Sequence, residues 1–340
     1  MATIKFSEAT HKLETCSMMN KFPVLPCQGT PYEEEALMSF VLRMANLNNM
    51  YGIHWLYQLL DREKIKRFKY EDCPSIASIF GADIDLVRSA MPRSRRIDGV
   101  TVYDIYKHRF SKSYLIRPLR PQICPKCMMD FGYSKMEWDL LFVCACPEHF
   151  CELVDQCPQC GNSIRWARPF FSACNCGFAW DRISPIWVPD TSPCVRVAAI
   201  LRNKLRFPDL KDIPSDPFEN AIAALSISAI SRLLWIFGIR ESSQDYLVTG
   251  RRKKTLRTSQ ITECCQRGFL RLKQLIFNAD TLESEQGMSA IHISSIRSFI
   301  EETNTAADIN FMEQIFQKLT QYPSFKRHLS GVMLPQRPLF

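Results

Sequence analysis

The sequence predicts a mainly α chain with small β elements of ribbon or finger type at its middle. An N-terminal helix-turn-helix region precedes that middle, and a helical C-terminal domain follows it. Three observations predict this. Nine of the fifteen cysteines fall within residues 124–176, seven of them in short paired knuckles. Apolar residues recur at helical spacing on both sides of that stretch. Alternation of the strand type is weak, as over residues 100–120.

The cysteine stretch reads CPKC, CPEH, CPQCG and CNCG. Its residues pair into two sets of four: Cys124, Cys127, Cys146 and His149, then Cys157, Cys160, Cys174 and Cys176. Knuckles of this kind supply the four soft ligands that tetrahedral zinc requires. Eighteen residues separate the knuckles of the first set and thirteen those of the second, and both gaps suit a zinc ribbon or finger. Cys144, Cys146 and Cys151 compete for one place, and Cys146 with His149 repeats the knuckle spacing. Both sets are filled by protein, which marks two structural zinc ions, since a catalytic zinc keeps a position open. A nucleobase deaminase is excluded, because no His-x-Glu lies upstream and neither CPKC nor CPQC is preceded by proline. No phosphate-loop, HExxH or GxSxG motif occurs either. The expectation is a binding protein, not an enzyme.

At 340 residues the chain has room for roughly two or three domains. Hydrophobic content of 46% and charged content of 23% are those of a soluble globular protein. The net charge of +8 is a mild pointer to an acidic partner such as nucleic acid. The first residues show no apolar signal core, and cysteines such as Cys16, Cys73, Cys264 and Cys265 sit in apparent helices. Both point to a reducing cytoplasm. Residues 221–239 have the length of a membrane span, but Arg232 at its middle would cost roughly 2.5–3.5 kcal/mol in a bilayer. The expectation is a buried helix and no membrane.

In order, residues 1–29 read as an extension, 30–120 as a helix-turn-helix domain, 121–183 as a tandem zinc-binding domain, and 194–340 as a helical domain behind the proline-marked linker 184–193. Thr30, Pro31 and Glu33 predict a capped helix start. Residues 53–60 predict a second helix. Residues 75–91 have the layout of a helix-turn-helix, with Gly81 at the turn and Asp85, Arg88 and Ser89 outward. Arg93, Arg95 and Arg96 follow directly, as a DNA contact requires. Lys64, Lys66 and Arg67 form a candidate phosphate strip before it, and Arg251, Arg252, Lys253 and Lys254 a second one. His108 reads as a surface residue. Asp216, Pro217 and Glu219 predict a helix start that Gly238 closes, and further helices are expected near 259–277, 289–302 and 308–321.

The chain resembles the TniQ/TnsD family of transposition target-selection proteins. The resemblance is carried by Glu35, Leu37, Ser39, Arg43 and Ala45 behind Pro31, then by CPKC, Trp138, Leu140, Val143, CPEH and CPQCG, over roughly residues 31–180. It selects Cys146 over Cys144. One residue departs from the pattern: Phe150 stands where the family has glycine after the knuckle histidine, so a changed turn is expected there. The resemblance implies a Tn7-like target selector that recruits an AAA+ transposition regulator, which in turn engages the transposase. Longer members read an attachment site on DNA. Shorter ones join a CRISPR effector with its guide RNA, often as a homodimer, and the length here is nearer theirs.

Overall fold

The computed structural model describes residues 22–97, 99–207, 215–245, 248, 253, 255–277, 290–291, 293–302 and 305–322. The first helix among the described residues, α1 (Leu37–Leu47), starts seven residues after Thr30, and its N-cap is Ala36. Thr30 and Glu33 do not cap it. The start is displaced because Glu35 is used in extended form: it bridges to Lys135 in antiparallel fashion, and Ala36 N–H donates to Ser134 O. The chain before α1 is tied down as well, with Leu25 N–H on Ile79 O and Gly29 N–H on Phe80 O.

Helix α2 (His54–Leu59) lies where its aromatic run predicts it. Next come two short helices, α3 (Cys73–Phe80) and α4 (Ile84–Ala90). Gly81, in the left-handed region at φ 63°, turns the chain between them, and Asp83 caps α4 by accepting from the N–H groups of Asp85 and Leu86. Ile76, Phe80 and Val87 are buried between these helices and α1.

The arginine cluster that follows is a strand, not an extension of the helix. β1 (Arg93–Ile97), β2 (Val100–Ile105) and β3 (His108–Phe110) form an antiparallel sheet in that order. Arg93 is paired with Asp104 and Arg96 with Thr101, so strand alternation places Arg93 and Arg95 on one face and Arg96 on the other. His108 is not a surface residue: it is half-buried in β3, and burial lowers its basicity.

The middle of the chain is built from loops around α5 (Pro125–Asp130) and the two-residue strands β4 (Ala145–Cys146) and β5 (Cys151–Glu152). The segment 184–193 does not hang free: Trp187 bridges to Cys151, and Val188 N–H donates to Phe150 O.

Beyond it lies α6 (Pro193–Arg206). The single helix expected between Asp216 and Gly238 is two, α7 (Pro217–Ala223), capped by Asp216, and α8 (Ile227–Gly238), capped by Ser226. The break at Ser226 is held from outside, because Asp308 accepts from both its N–H and its hydroxyl. Helices α9 (Thr258–Phe277), α10 (Ile293–Glu302) and α11 (Ala306–Leu319) complete the described chain. α8 and α9 touch backbone to backbone. A Cβ on Gly238 would sit 1.9 Å from Cys264 O, and one on Gly268 2.5 Å from Leu234 O, so only glycine fits. Arg232 is buried in α8 and donates to the Tyr114 hydroxyl. No described helix is long and apolar enough to cross a membrane.

Candidate metal centres

The ligand atoms of Cys124, Cys127, Cys146 and His149 all lie within 4.8 Å of one another, and so do those of Cys157, Cys160, Cys174 and Cys176. The structure thus brings together the eight side chains that the spacing singles out. Three thiols with an imidazole, and four thiols, are donor sets that suit tetrahedral zinc. The two clusters are compatible with two zinc sites.

In the first cluster, Cys124 caps α5 and Cys127 lies in its first turn; Cys146 ends β4, and His149 follows in the turn to β5. His149 Nδ1 is 3.2 Å from Cys127 Sγ and 3.6 Å from both Cys124 Sγ and Cys146 Sγ. Its other nitrogen, Nε2, is 2.9 Å from Asp130 Oδ2. That carboxylate keeps the proton on Nε2 and leaves the Nδ1 lone pair facing the sulfurs. Asp130, three residues after Cys127, is a functional residue that knuckle spacing did not reveal. Cys144 is buried apart from the cluster, among residues of α9. Cys151 is closer than expected: its Sγ stands 3.5 Å from Cys124 Sγ, opposite Cys146 in the β4–β5 pair.

A shell of ion pairs surrounds this cluster. Lys135 reaches Glu148, which Arg202 of α6 also approaches at 3.6 Å. Arg206 of α6 pairs with Glu34 and with the fully buried Glu137. Glu35 accepts from the Ser39 hydroxyl at 2.9 Å and from Arg43, while Ser39 Oγ accepts the N–H of Ser134. The motif residues of α1 therefore form a buried network that fastens this helix to residues 134–136 beside the cluster. On the opposite side, Asp155 accepts from Arg117 at 3.0 Å and from Thr258 N–H at the start of α9.

The changed turn expected at Phe150 is not found. Phe150 N–H donates to Cys146 O at φ 46°, and Gly161 N–H donates to Cys157 O in the same place of the second cluster at φ 68°. The turn is unchanged, and phenylalanine occupies a glycine conformation.

The second cluster is built differently. Cys157 and Cys174 are buried, Cys160 is half-buried and Cys176 exposed. Its neighbour Arg168 is 1% exposed and faces no carboxylate among the described residues; it donates instead to the carbonyls of Arg165, Phe170 and Phe171. Burial pushes its pKa down to about 9, and Cys174 is the charge that counters this. The loop is moored to α1, with Phe171 N–H donating to Asn46 Oδ1 at 2.7 Å.

The expected nucleic-acid residues fall in several places. Lys64, Lys66 and Arg67 are exposed in the loop after α2, whereas Arg62 is held by Asp72. Arg88 is exposed on α4, 3.7 Å from Asp85. Arg93 lies over the Tyr70 ring, Arg95 pairs with Asp104, and Arg96 donates to Gly99 O. Lys253 is half-buried over Tyr114. Arg251, Arg252 and Lys254 lie outside the described residues.

Residues 26–153 match the family model TniQ. The match takes in α1, the α3–α4 pair, the sheet and the first cluster, and ends before Cys157, short of the region over which the sequence resembles the family. No curated protein matches the chain.

Proposed function

We propose, from the match of residues 26–153 to the TniQ family model, that the chain takes part in target selection for Tn7-like transposition and is a non-enzymatic adaptor of the bacterial cytoplasm. It links a target-recognition complex, an RNA-guided CRISPR effector, to the AAA+ transposition regulator and through it to the transposase. It acts as a homodimer on DNA held by its partners. Two structural zinc ions, bound by Cys124, Cys127, Cys146 and His149 and by Cys157, Cys160, Cys174 and Cys176, keep the platform rigid.

The observation that supports this most is the matched domain itself, with a full set of four donors locked inside it. A closed set leaves no place for substrate on the metal, and suits a scaffold. A second reading has its own support. The exposed Arg88 of α4 is followed closely in the chain by the exposed arginines of β1, as in a protein that reads an attachment site directly through a helix-turn-helix.

Insertion mapping separates the two readings. In cells carrying the whole element, changing the guide RNA should move the insertions to the new target, and deleting this chain should abolish them. Insertions that stay at one fixed site whatever the guide would overturn the adaptor reading in favour of direct recognition.

A further inference from the structure

Four of the cations that stand out in the sequence as phosphate contacts, from three separate stretches, converge on one cleft. Arg67 comes from the loop after α2, Arg93 and Arg95 from β1, and Lys253 from the segment before α9. The cleft encloses about 640 Å³, within the range of sites that hold a small molecule. It is too small for a double helix and ample for one unit of a polymer.

Its lining changes character with depth. Leu37, Met38, Met91 and Leu141 are buried and apolar, whereas Arg67, Lys69, Arg93 and Arg95 are exposed. Between them stand the aromatic faces of the half-buried Tyr70 and Tyr103, while Tyr114 is buried with its ring 4.6 Å from that of Trp235. The Arg93 guanidinium lies 4.4 Å from the Tyr70 ring centre, and Lys253 Nζ lies 4.8 Å from that of Tyr114. Positive charge therefore already sits against stacking surfaces. Among the described lining residues the carboxylates are Glu71 and Asp139, and Asp139 is occupied by the Tyr106 hydroxyl at 2.6 Å.

Aromatic faces that stack bases, set beside cations that track phosphates, are what single-stranded nucleic acid requires. We propose that this cleft takes one unpaired nucleotide of a single strand, with its base against Tyr70 and Tyr103 and its phosphate against Arg93 and its neighbours. The proposal rests on the reading that the chain works on nucleic acid, and it adds that the strand is open where the chain holds it. An acidic peptide would engage the cations but leave the tyrosine faces unused.

The test uses the full zinc-loaded chain and three labelled probes of one sequence: a short single-stranded DNA, the same strand as RNA, and the blunt DNA duplex. Fluorescence anisotropy should show either single strand binding at least about tenfold tighter than the duplex. The tighter of the two identifies the source of the strand. Tyr70→Ala should weaken single-strand binding about tenfold with melting temperature and zinc content unchanged, while Tyr70→Phe keeps it. Arg93→Gln should weaken it and lower the salt dependence by about one phosphate contact. Equal binding of duplex and single strand, or wild-type binding by Tyr70→Ala, overturns the proposal. Displacement of the strand by an acidic peptide that is indifferent to Tyr70→Ala would assign the cleft to a protein. If the single strands fail to bind while insertions still follow the guide in cells, the cleft proposal falls and the adaptor reading stands.

Discussion

The two four-residue clusters share a knuckle geometry and differ in everything around it. The first lies inside the matched family domain and the second outside it. Three of the four side chains of the first are buried, against two in the second. Around the first, Asp130, Glu148, Glu137, Arg202 and Arg206 tie α5, β4 and α6 together, and the α1 motif closes on the same ground. Around the second, a single buried arginine satisfies backbone carbonyls of one loop. The same set of donor side chains thus stands in two different settings. The first cluster is where α1, the middle loops and α6 meet through ion pairs, whereas the loop of the second is fastened to α1 by hydrogen bonds alone.

Breaking the first cluster should have the largest effect. Cys127→Ser removes a buried donor at the meeting point, and should destabilise the protein by more than about 4 kcal/mol in denaturant titration, with loss of cooperative unfolding. If this variant keeps its melting behaviour and zinc content, Cys127 is not a ligand. In the second lobe the corresponding weak point is Arg168. Arg168→Met leaves the carbonyls of Arg165 and Phe170 without that donor, while Phe171 O keeps the Trp180 indole, and should cost about 1–3 kcal/mol while the zinc of the first cluster stays bound.

Smaller effects sharpen the contrast. Asp139, buried between the first cluster and the 113–120 segment, has its pKa raised to about 7, chiefly because burial disfavours its charged form. The folded state therefore binds a proton that the unfolded chain, with its ordinary carboxylate near 3.8, has already released. The stabilisation is complete below that lower value and is lost as pH rises through about 7. Stability should fall by about 1 kcal/mol between pH 6 and 8, and Asp139→Asn should flatten that slope. The smallest effect is at Phe150, which holds a left-handed turn that glycine occupies in the second cluster. With its ring 43% exposed, Phe150→Gly should raise stability by about 0.5–1 kcal/mol on thermal melting.

How much of this was legible in the sequence follows from the range of each signal. Knuckle spacing is local, so the two clusters and the ends of α9 could be read from neighbouring residues. The start of α1 could not, because Glu35 is drawn into extended form by Lys135, a hundred residues later. The break between α7 and α8 is equally remote in origin, set by Asp308 on Ser226. The strand nature of Arg93 and Arg95 was hidden by their charge, since an exposed hairpin carries no apolar alternation to betray it. Asp130 was missed although it lies beside Cys127, because a carboxylate that orients a ligand has no fixed spacing. The cleft joins residues 67, 93 and 253, and no pattern in one stretch foretells it.

The most direct test is stepwise removal of zinc from the purified chain with a competing chelator, following released metal and helical circular dichroism together. Expected are two equivalents that leave in turn: the first with the helical signal intact, the second together with cooperative unfolding, with Cys176→Ser deleting only the first. Zinc absent altogether, or both equivalents lost without any change in the helices, would contradict the central claim.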